Sequence, residues 1–472
     1  MILKRKFYLC ISIIIFLLAL TGCDLSKDVN QDLNFESTYK ELKGKVYDAT
    51  MSTLSVKDEN GDIYYFVLDD DVKITAEDGI VIDAPVSIKY RGNLEKTKDA
   101  QNVIINHITV LPKEKDNSDE INNPSDEEKT DDKTYSDKDL EEMIKTMTIE
   151  EKVGQMFIVR CPKENVIEKA LKYNLGGYVL FAKDFEVKTK QMVTENIQSY
   201  QDVSKLNMFV AVDEEGGTVN RLSINKNFRA VPFWSPQELY NEGGWDLIIS
   251  DTVEKSNLLK SLGINVNMAP VCDVSENPSD YIYDRTFGKN ADETSKYVKT
   301  VVETMKLEGI GSVLKHFPGY GNNVDTHTGI SYDKRDYDNF INNDFKPFEA
   351  GIEAGADAIL VSHNIVEVID NQNPASLSKK IHDILREELN FNGVIMTDDL
   401  YMDAIYNYVD EEQAAVSAIL AGNDLICCTN FETQIPAVIN AVKNGTIDED
   451  QVNESVLRIL NWKNELGILK HN

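Results

Sequence analysis

The chain has 472 residues, of which 80 are Asp or Glu and 49 are Lys or Arg, for a formal net charge of −31. Such a balance argues against nucleic acid as a partner, because phosphate binding needs a basic surface, and it keeps a protein soluble beside an anionic membrane. The length suffices for two or three domains with a large core.

The N-terminus reads as a targeting segment. Lys4, Arg5 and Lys6 form a basic start, and Tyr8 to Leu20 is apolar. That run is short for a membrane span and suits the core of a signal peptide. Leu20-Thr21-Gly22-Cys23 follows and resembles the lipobox of bacterial lipoproteins. The resemblance implies removal of residues 1–22 and lipid on Cys23, so that Cys23 anchors the chain to the cell membrane on the outer side of the cytoplasm. An uncleaved anchor is the alternative and leaves the rest of the chain on the same side.

Residues 23–43 are expected to be a polar tether. From 44 to 112 the pattern is one of short strands. Lys45-Val46-Tyr47, Ile63 to Leu68, Val86 to Tyr90 and Val103 to Val110 are rich in β-branched and aromatic residues, and Asn60-Gly61 is a hairpin signal. This predicts a small β-barrel or sandwich without a catalytic cluster. Residues 113–139 are dominated by Asp, Glu, Lys, Asn and Ser; they bury too little apolar surface to fold and are expected to be an acidic linker. Cys10, Cys161, Cys272, Cys427 and Cys428 show no C-x-x-C spacing, which argues for free thiols and against a zinc or redox motif.

From residue 140 to 472 apolar runs alternate with amphipathic stretches. The runs are Gln155 to Val159, Gly176 to Phe181, Phe209 to Asp213, Ile264 to Pro270, Ser312 to His316, Ala358 to His363, Gly393 to Asp398 and Asp424 to Thr429. Eight strands, each followed by a helix or long loop, predict an α/β fold of the (β/α)8 TIM-barrel type, preceded by the β-rich domain and the linker. A doubly wound sheet shows the same alternation, but no glycine-rich nucleotide fingerprint follows the first strand. Several runs end in polar groups, and in a parallel barrel those ends converge on one face.

The densest chemistry lies in Lys315 to His327, where an apolar strand turns into a glycine-rich loop. Two of the chain's six histidines, His316 and His327, fall in these residues. Asp325 stands two residues before His327, placed to orient or charge it for proton transfer. Gly393 to Leu400 is a buried-strand pattern ending in Asp398 and Asp399. Charge at such a tip costs desolvation and points to a ligand; capping the next helix is the alternative role. A carboxylate facing a proton donor across a pocket is what glycosidic cleavage needs. Asp213 to Arg221 sets acids and an arginine around a diglycine turn, and Arg285 offers a second guanidinium. These groups suit sugar hydroxyls and acyl oxygens; rim salt bridges are the alternative for the arginines.

Lys315-His316-Phe317-Pro318-Gly319 with Asp325-Thr326-His327 resembles the signature of the β-N-acetylhexosaminidase branch of glycoside hydrolase family 3. Met147 to Met156, Asp213 to Arg221, Arg285 to Gly288, Pro374 to Ser378 and Gly393 to Leu400 agree with it. The resemblance implies a retaining exo-β-N-acetylglucosaminidase of the compact single-barrel type, acting on terminal β-linked N-acetylglucosamine of cell-wall or chitin-type saccharides. It implies Asp398 as nucleophile, His327 as general acid/base supported by Asp325, and Asp213, Arg221, Arg285, Lys315 and His316 as substrate-binding residues. His363 matches a strand-end position near the pocket. No metal and no organic cofactor is implied. Tyr320, Thr218 and Ser331 stand where the family commonly has histidine, arginine and proline, which bears on the loop and the leaving group more than on the reaction. The alternatives are a β-N-acetylglucosaminide phosphorylase, since a histidine acid/base repels phosphate less than a carboxylate does, and an inactive sugar-binding lipoprotein.

Overall fold

The computed structural model describes residues 40–49, 53–58, 61–67, 73–75, 84–91, 94, 104–110, 135–323, 331–406 and 408–469. They fall in two compact units, Met1–Glu127 and Glu128–Asn472. The expected signal segment, Cys23 and residues 113–134 of the expected acidic linker lie outside the described residues; the linker's last residues, 137–139, instead open the helix Asp137–Thr146, which Ser136 caps. Among the described residues, no helix is long and apolar enough to cross a membrane.

The N-terminal unit is one sheet of six strands, in the order Ile63–Val67, Thr53–Lys57, Lys40–Ala49, Pro85–Arg91, Ile104–Val110 and Lys73–Thr75. Alternate residues face a core of its own, with Val46, Leu54, Val56, Phe66, Val86, Ile88 and Ile108 all buried, as the period of two in a one-sided sheet requires. Ordered pairing begins at Lys40, ahead of Gly44. Thr53–Lys57 and Ile63–Val67 pair antiparallel across a turn in which Gly61 has φ 86°; Asn60 lies outside the described residues. Thr53–Lys57 and Lys73–Thr75 are strands that the sequence pattern did not reveal.

The second unit is a (β/α)8 barrel. Its strands are β1 Phe157–Arg160, β2 Gly177–Leu180, β3 Phe209–Val212, β4 Val266–Asn267, β5 Gly311–Phe317, β6 Ala358–Val361, β7 Val394–Thr397 and β8 Ile426–Cys428. Consecutive strands pair in parallel from β1 to β7, and β8 pairs with β1. A parallel bridge from Met396 to Leu425 and the bond from Thr397 N to Leu425 O (3.1 Å) close the ring between β7 and β8. Each of the eight apolar runs is a strand. They read as continuous runs because helices cover one face and side chains fill the other. Helix starts carry their own caps: Ser136 with Asp139, Thr148 with Glu151 and Ser235 with Glu238 form reciprocal capping boxes.

The N-terminal ends of the strands form the floor. There the helix Glu449–Glu465 lays Trp462 against Phe209, with ring centroids 4.4 Å apart. Lys463, fully buried, sends Nζ to Gln155 Oε1 at 2.7 Å. Cys161, Cys272, Cys427 and Cys428 are buried and free.

Candidate active site

The C-terminal strand ends open on a cavity of about 580 Å³ lined by Asp213, Arg221, Arg285, Lys315, His316 and Asp398. Six of the eight expected catalytic and substrate-binding residues therefore meet in one place, although they come from strand β5 and the segments that follow β3, β4 and β7. Asp325 and His327 lie outside the described residues.

Lys315 and His316 are neighbours in β5, where regular alternation sends adjacent side chains to opposite faces. The β5–β6 register shifts between Lys315 and Phe317, so the strand bulges at His316 and both side chains reach the cavity. The Lys315–His316 and Phe317–Pro318 peptides are cis. Lys315 is buried, with Nζ 2.7 Å from Asp213 Oδ1 and 2.6 Å from Glu215 Oε1. Burial works against its charge, but the two carboxylates prevail and hold its pKa above the ordinary lysine value.

Glu215 also accepts a two-pronged bond from Arg285, Nε to Oε2 at 3.0 Å and Nη2 to Oε1 at 2.8 Å. Burial pushes this carboxyl up, yet Arg285 and Lys315 more than offset it and keep the group ionised well below the usual range. Arg285 Nη2 further meets His316 Nε2 at 3.1 Å. A guanidinium only donates, so His316 Nε2 holds the lone pair and Nδ1 carries the proton. That proton goes to Asp273 Oδ2 at 2.8 Å. Asp273 is fully buried and also accepts from the backbone of His316 and Tyr320. Asp273 and Glu215 are thus positioning residues absent from the sequence-derived set, although both stand among the polar strand ends.

The turn after β3 is held by Glu214. Its buried carboxylate accepts from the amides of Arg221 (2.8 Å), Leu222 (2.7 Å) and Ser223 (3.2 Å), which fixes where the Arg221 side chain departs. Gly216 has φ 100°, and a Cβ there would lie 2.1 Å from Trp234 O; only glycine fits. Arg221 Nη2 stands 3.7 Å from Asp213 Oδ2.

Asp398 follows β7 and is half-buried at the cavity wall, where its Oδ1 accepts from Asp399 N at 2.8 Å. Asp399 ties this turn to the segment after β8 and caps no helix. Its carboxylate accepts from Tyr401 N, Thr429 N and Thr429 Oγ1. His363 is fully buried behind this turn, with Nε2 donating to Asp399 O at 3.1 Å and Nδ1 2.7 Å from Ser376 Oγ. It supports the Asp398–Asp399 backbone and does not line the cavity.

The flanks of residues 324–330 are tied together. Asn323 Nδ2 donates to Asp333 Oδ2 at 2.6 Å. Arg335 binds Asp333, Asp344 and Gly319 O. Among the described residues no three His, Cys, Asp or Glu side chains converge to hold a metal ion.

This arrangement suits a neutral polyhydroxylated ligand. Asp213 accepts, Lys315, Arg285 and Arg221 donate, and Asp398 presents an oxygen to the cavity. Residues 148–462 match the model of the glycosyl hydrolase family 3 N terminal domain. A beta-hexosaminidase of Idiomarina loihiensis is 33% identical over 306 residues, covering 62% of this chain and 88% of the relative. Beta-hexosaminidase A of Pseudoalteromonas piscicida is 30% identical over 326 residues, covering 62% of this chain and 54% of the relative. A solved family 3 beta-N-acetylglucosaminidase from Paenibacillus sp. superposes with a TM-score of 0.64 at 26% identity, covering 68% of this chain and 63% of that one. The chain thus spans about half of the second relative and under two thirds of the solved structure. With the barrel, its convergent strand ends and a match over two thirds of its length, the chain belongs to glycosyl hydrolase family 3.

Proposed function

We propose that the chain is a retaining exo-β-N-acetylglucosaminidase, hydrolysing terminal β-linked N-acetylglucosamine from cell-wall or chitin-type saccharides. The observation that carries this reading is the Asp398 carboxylate facing the same cavity as Asp213, Lys315, His316 and Arg285. In the proposed reaction an Asp398 oxygen bonds to the anomeric carbon while the glycosidic bond breaks. His327, oriented by Asp325, gives its proton to the leaving oxygen. His327 then takes a proton from water, which attacks the anomeric carbon and frees Asp398. Lys315, Arg285, His316, Arg221 and Asp213 hold the hydroxyls and the N-acetyl group. His316, with Nδ1 on Asp273 and Nε2 on Arg285, holds that guanidinium at the cavity wall.

We assign the N-terminal sheet to a supporting domain, and Cys23 to a lipid anchor that holds the chain outside the cytoplasm. Replacing Cys23 with Ala is expected to move the protein from the membrane fraction to the soluble fraction; retention on the membrane would remove the anchor.

The deciding assay is release of 4-nitrophenol from the N-acetyl-β-glucosaminide and from the β-glucoside, with and without inorganic phosphate. Turnover of the N-acetyl substrate without phosphate stimulation supports the proposal. Strong stimulation by phosphate would replace hydrolysis with phosphorolysis, and no turnover of either substrate would leave a binding protein. Asp398→Asn is expected to lower kcat at least about 10³-fold; wild-type rates would overturn its role as nucleophile.

A further inference from the structure

Across the cavity from β5 stands a wall of a different kind. Arg160 ends β1, Phe181 follows β2, and Arg221 comes from the loop after β3. The Arg160 guanidinium lies 4.2 Å from the centre of the Phe181 ring and that of Arg221 5.6 Å from the same ring. Both Nε atoms are buried and make no hydrogen bond. Among the described residues Arg160 has no carboxylate within ion-pair distance, and Arg221 has only Asp213 at 3.7 Å, whose Oδ1 is already bound by Lys315. Asp184 is near enough to feel the charge of Arg160, but its carboxylate accepts from Phe181 N at 2.8 Å. Buried donors left without an acceptor are costly, and a planar guanidinium matches carboxylate and phosphate oxygens.

The strand order says which part of a sugar this wall meets. Asp398 follows β7 and His327 follows β5 in the chain, so the anomeric carbon belongs over the β5–β7 arc. In a ring of eight, β2 lies opposite β6, the middle of that arc, and β1 and β3 flank it. The opposite end of the ring, carrying C4 and C6, therefore points at Arg160, Phe181 and Arg221.

We propose that Arg160 and Arg221, spaced by Phe181, form a subsite for an anionic substituent, a phosphate ester or a carboxylate, at the C4–C6 end of the terminal sugar. The placement rests on the family 3 reading of Asp398 and His327.

The test is calorimetric titration of the full chain with N-acetylglucosamine, its 6-phosphate and its C6 carboxylate, beside turnover of the neutral 4-nitrophenyl glycoside. At least one charged sugar is expected to bind tenfold or more tightly than the neutral one, and the two charged ligands separate phosphate from carboxylate. In Arg160→Gln the ratio should fall to within threefold of unity, and Arg160→Lys should keep part of it. Equal or weaker binding of both charged sugars to the wild type overturns the subsite, whether or not the variants fold. So does a preference that survives Arg160→Gln. Either result beside normal turnover of the neutral glycoside leaves the proposed activity standing. Tight binding of a charged sugar without neutral turnover keeps the subsite and overturns the neutral substrate. If no N-acetyl sugar binds and none is turned over, both fall.

Discussion

Two buried lysines sit at opposite ends of the barrel and behave in opposite ways. Lys315, at the mouth, and Lys463, on the floor, are 2% and 0% exposed. Lys315 lies between the carboxylates of Asp213 and Glu215, and its pKa is raised. Lys463 has the Gln155 amide oxygen and the Phe209 ring; burial without a counter-charge lowers its pKa to about 7. Depth alone therefore says little about a lysine's charge. The mouth keeps an ammonium because two acids surround it, while the floor holds an amine that is half-titrated near neutrality.

The strongest way to break this contrast is Lys315→Met. It leaves Glu215 buried against Arg285 and Asp213 facing only Arg221 at 3.7 Å, and it removes a donor from the cavity. We expect a loss of about 3–5 kcal/mol in urea unfolding, together with loss of turnover. Unchanged stability would mean that the two acids find other partners.

Lys463→Met should do the reverse and raise stability at pH 7 by about 1 kcal/mol. The sign follows from the lowered pKa. Below about 7 the folded state must bury the full charge. From there up to the ordinary lysine value of about 10.4 the unfolded chain binds more protons, so wild-type stability rises with pH. The variant should lose that slope; a slope that persists would assign it to other groups. The smallest change is Gln155→Glu, which gives the floor lysine the counter-charge its upper counterpart has. Its slope between pH 7 and 10 should flatten, and an unchanged slope would show that one carboxylate is not enough.

The barrel was legible because strands buried on both faces leave apolar runs with polar tips, and every such run proved to be a strand. The sheet of the N-terminal unit was less so. Thr53–Lys57 and Lys73–Thr75 are short and polar, and pairing defines them more than composition does. At the site, Asp213, Arg221, Arg285, Lys315, His316 and Asp398 were found from strand ends and motif. The supports were not. Asp273 grips His316 from 43 residues away and Glu215 grips Arg285 from 70, distances at which sequence shows no partner. Arg160 stands one residue beyond the apolar run Gln155 to Val159 and has no acidic neighbour at that tip to mark it. The bulge that turns both Lys315 and His316 inward depends on the register with β6, which a single strand does not reveal.

The sharing of Glu215 between Lys315 and Arg285 has a consequence for how this sequence changes over time. Asp213, Lys315, Glu215 and Arg285 form a chain of alternating acids and bases, each bonded to the next within 3.0 Å. Losing either middle member, Lys315 or Glu215, removes two contacts at once, and losing any of the four leaves the set with one uncompensated charge, whereas exchanging an acid and a base together keeps the balance. Mutational paths through this corner are therefore rugged: single steps descend into a fitness valley that a coordinated double step avoids. Homologues should alter these four positions in concert or leave them alone.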